Sequence, residues 1–178
     1  QSAGFTHWAK LNNLKQAAMT MNFLTEHGIS NYGELESKLT ALSARRDTAH
    51  AEIKRIESRS AELALVMKHA GTYRQLKPLY DRYRKSNDKE KFLRGHESEI
   101  ILFEAAAREL KRLGAVPLPT TESMKTELAN LNAEKERLLA EYKAARTEAQ
   151  EYDTVKQNVD ALLTVPKEQE QQRRHELE

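Results

Sequence analysis

Apolar residues recur along this chain at alternating intervals of three and four in two long stretches, separated by a segment in which that interval is lost. The first stretch runs Leu39, Leu42, Arg46, Ala49, Ile53, Ile56, Ser60, Leu63, Met67, Ala70. The second runs Met124, Leu128, Leu131, Lys135, Leu138, Tyr142, Ala145, Ala149, Tyr152, Lys156, Val159, Leu163. Such spacing keeps one helix face apolar turn after turn, and two faces of similar length can zip onto each other. The pattern predicts an all-α protein built on a long antiparallel coiled-coil helical hairpin, its first long helix over residues 29–70 and its second over 120–165. Arg46, Ser60, Lys135 and Lys156 interrupt the seams and read as devices that set register and orientation.

Shorter patterns fill in the rest. Residues 1–28 predict an amphipathic helix with Trp8, Leu11, Leu14, Ala18, Met21 and either Phe23 or Leu24 on one face. Gly28 is its C-cap, and the helix is expected to dock at the open end of the hairpin. Asn31 followed by Glu34 has capping-box spacing for the start of the first long helix. Residues 71–119 predict a small helical cap at the hairpin tip. It has a bend between Gly71 and Pro78, where proline removes a backbone donor, and a loop at Ser86, Asn87 and Asp88. A single turn before Gly95 follows, with His96 capping the next helix. That helix, over 97–113, carries Ile100, Phe103, Ala107, Leu110 and Leu113 on one stripe and stops at Gly114. Pro117 and Pro119 favour extended chain, after which Thr120 or Thr121 can cap the second long helix. Residues 166–178 lack an apolar stripe and predict a disordered tail.

Composition agrees with stripes in place of a thick core: 31% of residues are charged and 6% aromatic, with a mean hydropathy of -0.78. The chain has no Cys, which excludes disulfides, thiolate metal sites and a Cys nucleophile and fits a reducing compartment. No apolar run approaches the ~18 residues of a membrane span, and the chain opens with no charged-then-apolar signal pattern, so membrane insertion is not expected. His7, His27, His50, His69, His96 and His175 are scattered. Zinc spacing, a Gly-rich phosphate loop, a GxSxG turn and an EF-hand loop are all missing. No catalytic residue, metal site or cofactor is therefore expected in this segment.

The net charge of +2 hides a polarised distribution. Residues 73–94 hold eight Lys/Arg against three acids, whereas residues 122–178 hold nine against thirteen. In the basic segment Tyr73, Arg74, Lys77, Tyr80, Tyr83, Arg84, Lys85, Lys89 and Lys91 interleave rings with cations. That mixture suits single-stranded nucleic acid, with phosphates on the cations and bases stacked on the rings. The same residues also suit a plainer role, in which Tyr80, Tyr83 and Phe92 form the small core of the cap and the cations solvate it.

Several stretches together resemble a known family: GFTHWAKLNNLKQAAMTMNFLTEHG at the start, TYRQLKPLYDRYRKSNDKEKFLRGHESEIILFEAAARELKRLG in the cap, the LPLPT turn, and the long charged helix after it. They are similar to the C-terminal region of relaxases, the mobilisation nucleases of conjugative transposons and plasmids of Firmicutes. The resemblance extends from Gly4 to about Leu163. It implies a cytoplasmic bacterial protein whose parent nicks DNA through a separate domain, with a catalytic tyrosine and a histidine-rich metal site. Neither motif is matched in this sequence, so no nucleophile is assigned to Tyr73, Tyr80 or Tyr83. By resemblance the segment is a non-catalytic accessory platform for DNA or for the transfer machinery, and the basic aromatic segment adds the expectation that it contacts DNA, single-stranded or folded as a transfer-origin hairpin. Two alternatives stay open: a rod that docks on conjugation proteins through acidic positions such as Glu134, Glu141 and Glu148, and a spacer that forms a homodimer.

Overall fold

The computed structural model describes the backbone of residues 3–175 and the side chains of residues 12–164. The described chain is all-α, with α1 over Ala3–Glu26, α2 over Tyr32–Lys85, α3 over Lys89–Arg112 and α4 over Thr121–His175. It divides into two compact units, one from Gln1–His50 with Leu139–Glu178 and one from Ala51–Leu138. No helix of the described residues is long and apolar enough to cross a membrane.

The helix ends follow the local chemistry of the sequence. Gly28 has φ +65° and Gly114 has φ +68°. At the first, Gly28 N–H donates to the Thr25 carbonyl and Ile29 N–H to that of Leu24, and at the second Gly114 N–H donates to Lys111 and Ala115 N–H to Leu110. Each is a Schellman close, which needs a left-handed residue that glycine adopts without a Cβ penalty. A Cβ at Gly114 would meet nothing within 4 Å, so the strain is purely that of the backbone. Gly114→Ala is expected to lower stability by about 1 kcal/mol, and an unchanged urea midpoint would contradict this. Asn31 Oδ1 accepts from Glu34 N–H at 3.0 Å, while the Glu34 carboxylate accepts from Ser30 N–H at 2.6 Å. The predicted capping box is thus formed with its return bond shifted one residue back. Asp88 caps α3 through Lys91 N–H at 2.9 Å, and Thr120 Oγ1 caps α4 through Ser123 N–H at 3.1 Å.

In the first unit, the opening half of α2 lies antiparallel to the closing half of α4. Low numbers on one meet high numbers on the other: Tyr32 donates to Asp160 at 2.7 Å, Lys38 reaches Glu148 at 4.0 Å and Arg45 reaches Glu141 at 3.1 Å. The core between them is Leu35, Leu42, Ala149, Tyr152 and Val155, flanked by Phe23, Leu24, Ile29, Leu39 and Val159. Lys156, one of the polar seam residues, pairs with Asp160 at 3.1 Å. The Tyr32 hydroxyl and this ammonium hold the Asp160 carboxyl below its usual range. A seam lysine is tolerated here because its charge leaves the apolar stripe for a carboxylate.

Helix α1 docks in this unit by a face other than the expected one. Thr20 is buried, and Phe23 and Leu24 are partly covered, whereas Leu14 and Met21 are 69% and 58% exposed. Ala18 is also exposed. Trp8 and Leu11 lie outside the described side chains. The contact is substantially polar: Gln16 Nε2 donates to Asn158 Oδ1 at 2.7 Å, and Asn158 Nδ2 donates to Thr20 Oγ1 at 3.3 Å. Apolar residues surround α1, so periodicity alone does not choose a side, and the side carrying hydrogen-bond partners is the one that packs.

In the second unit, the closing part of α2, the opening part of α4 and α3 surround Leu63, Val66, Ala70, Leu110, Ala115 and Met124. The long helices are again antiparallel, with Lys135 against Glu57 at 3.0 Å and Arg59 against Glu127 at 2.7 Å. Lys135 and Lys54 hold the Glu57 carboxyl below its usual range. These pairs are exposed and act more on register than on stability. Two boundaries depart from expectation. Helix α2 runs through Gly71 and Pro78 to Lys85 and does not end at Ala70. The lost donor of Pro78 is outweighed by aromatic packing on both sides of it, described below. Helix α4 likewise continues to His175, past Pro166, where a disordered tail is expected from residue 166. The Glu, Gln and Arg there favour helix without needing a stripe. Within α3 the chain kinks at His96, which has φ −142° and ψ 25°. This separates the short turn from the compact helix at the expected place. His96 stands at the kink without the expected capping bond: its Nδ1 is buried with no hydrogen-bond partner among the described residues, 3.7 Å from Glu99 Oε1 and beyond hydrogen-bond reach.

Candidate nucleic-acid interface

The basic segment folds as the last turns of α2, the turn at Ser86, Asn87 and Asp88, and the first turns of α3, all within the second unit. Packing divides its nine expected residues into two groups. The rings turn to the protein. Tyr73 stacks on Phe103 at 4.8 Å and 26°, and Tyr80 stacks on Phe103 at 4.2 Å and 23°. Tyr83 lies 5.9 Å from Tyr80 and 6.1 Å from Phe92, and Phe92 lies 4.8 Å from His96. This row of rings joins the last turns of α2 to α3, as in the plainer reading of these residues. Phe103, its centre, is not one of the nine. Its place on the α3 stripe identifies it as core, but not as a partner of the tyrosines.

Two of the cations are also committed. Arg74 donates to Thr121 Oγ1 at 2.9 Å and to the Pro119 carbonyl, tying α2 to the start of α4. Lys77 forms an ion pair with Asp81 at 2.8 Å, four residues along the same helix, and this pairing raises its pKa above the usual lysine value.

The remainder are free. Arg84, Lys85, Lys89 and Lys91 are exposed and, with Arg82, make no ion pair among the described residues. Sequence reading left Arg82 out of the site because nothing distinguishes its residue type from that of its paired neighbours. The two acids near the turn are both engaged, Asp88 as the α3 cap and Glu90 with Arg94 at 2.9 Å. Five cations thus lie within residues 82–91, none of them in an ion pair among the described residues, a concentration of positive charge suited to phosphates.

The acidic positions of the long helices present a different picture. Glu134 pairs with Arg137 at 2.6 Å, Glu141 with Arg45 at 3.1 Å and Glu148 with Lys38 at 4.0 Å. Comparison of the chain with protein-family models, curated proteins and solved structures gives no match.

Proposed function

We propose that this chain is a non-catalytic helical domain that contacts nucleic acid through the basic turn between α2 and α3, as the accessory part of a bacterial relaxase acting in conjugative transfer in the cytoplasm. The observation that carries the contact is the set of cations Arg82, Arg84, Lys85, Lys89 and Lys91 flanking that turn, which make no ion pair among the described residues. The relaxase assignment rests on the sequence resemblance. The alternatives find less to stand on. The acidic residues that a docking rod would present are paired within the chain, and in each unit the seams a dimerising spacer would need face each other.

The test is fluorescence anisotropy of labelled DNA at about 50 and 200 mM salt. Binding should weaken steeply between the two, because each phosphate contact releases a condensed counterion. Changing Arg84, Lys85, Lys89 and Lys91 together to Glu is expected to reduce affinity at the lower salt by roughly a hundredfold or more, with helicity retained, since none of the four side chains makes a hydrogen bond or ion pair among the described residues. Changing Lys77 alone should have little effect, its charge being already satisfied by Asp81. Binding that survives the fourfold reversal would remove this turn as the interface.

A further inference from the structure

Beside the basic turn is a cleft of about 320 Å³ lined by Ser86, Asp88, Lys91, Phe92, Gly95 and His96. Its volume suits a small planar group and is too small for a helix or strand. Resting on the nucleic-acid reading above, we infer that the cleft takes one unpaired nucleobase, so that the turn prefers single-stranded over duplex nucleic acid. Three features of the cleft converge on this ligand.

First, its walls are rings. Phe92 and His96 lie 4.8 Å apart with their planes inclined at 40°, and a base entering beside them exchanges water for a π-face. Second, the cleft holds unused hydrogen-bonding capacity beside Lys91: His96 Nδ1 is buried with no hydrogen-bond partner among the described residues, and Asp88 offers an acceptor. Asp88 Oδ1 is occupied by Lys91 N–H, whereas its second carboxylate oxygen has no hydrogen-bond partner among the described residues. A phosphate or an acidic side chain entering here would meet this negative charge. The exocyclic amino group of a base would instead donate to it, and that edge is exposed only when the base is unpaired and unstacked. Third, Lys91 lines the cleft, is exposed and makes no ion pair among the described residues, and can hold a flanking phosphate while the base turns inward.

Gly95 provides the test. A Cβ there would meet nothing within 4 Å, and its φ is not positive. A larger residue is therefore accommodated by the backbone, and helix propensity favours it. Gly95→Leu should fill the cleft and leave the fold and the cations in place. Single-stranded DNA binding is expected to fall about tenfold, with duplex binding unchanged and thermal unfolding no lower than that of the parent. A strand carrying 2-aminopurine should be quenched on binding to the parent protein and less so on binding to the variant. Equal single-strand affinity for the two proteins, with no difference in quenching, would overturn the base site and leave the phosphate-contacting turn standing. Absence of DNA binding by the parent protein at low salt would overturn both.

Discussion

Tyr152→Ala is expected to lower the stability of the first unit by about 3 to 5 kcal/mol, among the largest effects of any single substitution in this chain. Tyr152 is 2% exposed, the bulkiest of the fully buried side chains among the described residues. It joins three helices: it belongs to α4, packs in one cluster with Leu35 and Leu42 of α2, and meets Phe23 of α1 edge to face at 5.0 Å. His27 adds a second ring at 5.6 Å. Truncation removes these ring contacts and leaves a cavity that the small neighbour Ala149 cannot fill. Burial raises the pKa of the Tyr152 hydroxyl, and Glu148 and Glu151 add to the shift, so no buried charge is at stake. Tyr152→Phe should accordingly cost less than about 1.5 kcal/mol. Urea titrations followed by circular dichroism distinguish the two outcomes. If alanine proved as mild as phenylalanine, the junction of α1, α2 and α4 would be packed differently from the arrangement described.

Tyr152 also shows how far the fold is legible in sequence. Its place on a 3,4 seam identifies it as core, and the same spacing identifies Leu42, Ala49, Ile53, Ile56, Leu63, Ala70, Met124, Leu138, Ala145 and Ala149, all of them buried. Caps are equally legible because each rests on a local rule, as at Asn31, Thr120, Gly28 and Gly114, whereas Asp88, which reads only as loop, caps α3. What escapes is whatever depends on a distant partner. Val66 and Val155 are buried beside the expected Met67 and Lys156, since a helix facing more than one neighbour buries more than one stripe. Thr20 is buried on α1 because Asn158, far along the chain, meets it. Pro78 reads as a break, but the helix passes through it because rings on both sides of it stack on Phe103.

The candidate site repeats the lesson. Composition marks residues 73–94 as basic and aromatic, and that much is visible from residue types. Which rings are already occupied and which cations are already paired is a property of packing. Lys77 and Lys85 are the same residue type eight positions apart, yet one is neutralised by an aspartate one turn away and the other has no such partner among the described residues.

Phe103→Ala carries the second large expectation, a loss of about 3 to 5 kcal/mol from the second unit, and it separates the two readings of the aromatic row. Phe103 is 5% exposed and lies against both Tyr73 and Tyr80, with ring centroids 4.8 and 4.2 Å away. Each stacked pair contributes about 0.5 to 1.5 kcal/mol beyond the area it buries, so the variant loses both pairs as well as its own burial. If the row is structural, Tyr80→Ala should also destabilise, and the shortfall of the Phe103→Ala, Tyr80→Ala double variant from additivity should report their coupling. The loss should extend to function, because the row fixes the α3 face of the basic turn relative to the α2 face. DNA affinity of the Phe103 variant should fall even though no cation is changed. If the two substitutions instead left stability nearly unaltered while Tyr80→Ala alone weakened DNA binding, the tyrosines would be a stacking platform for bases, and the site would extend from the turn at Asp88 back along α2 to Tyr73.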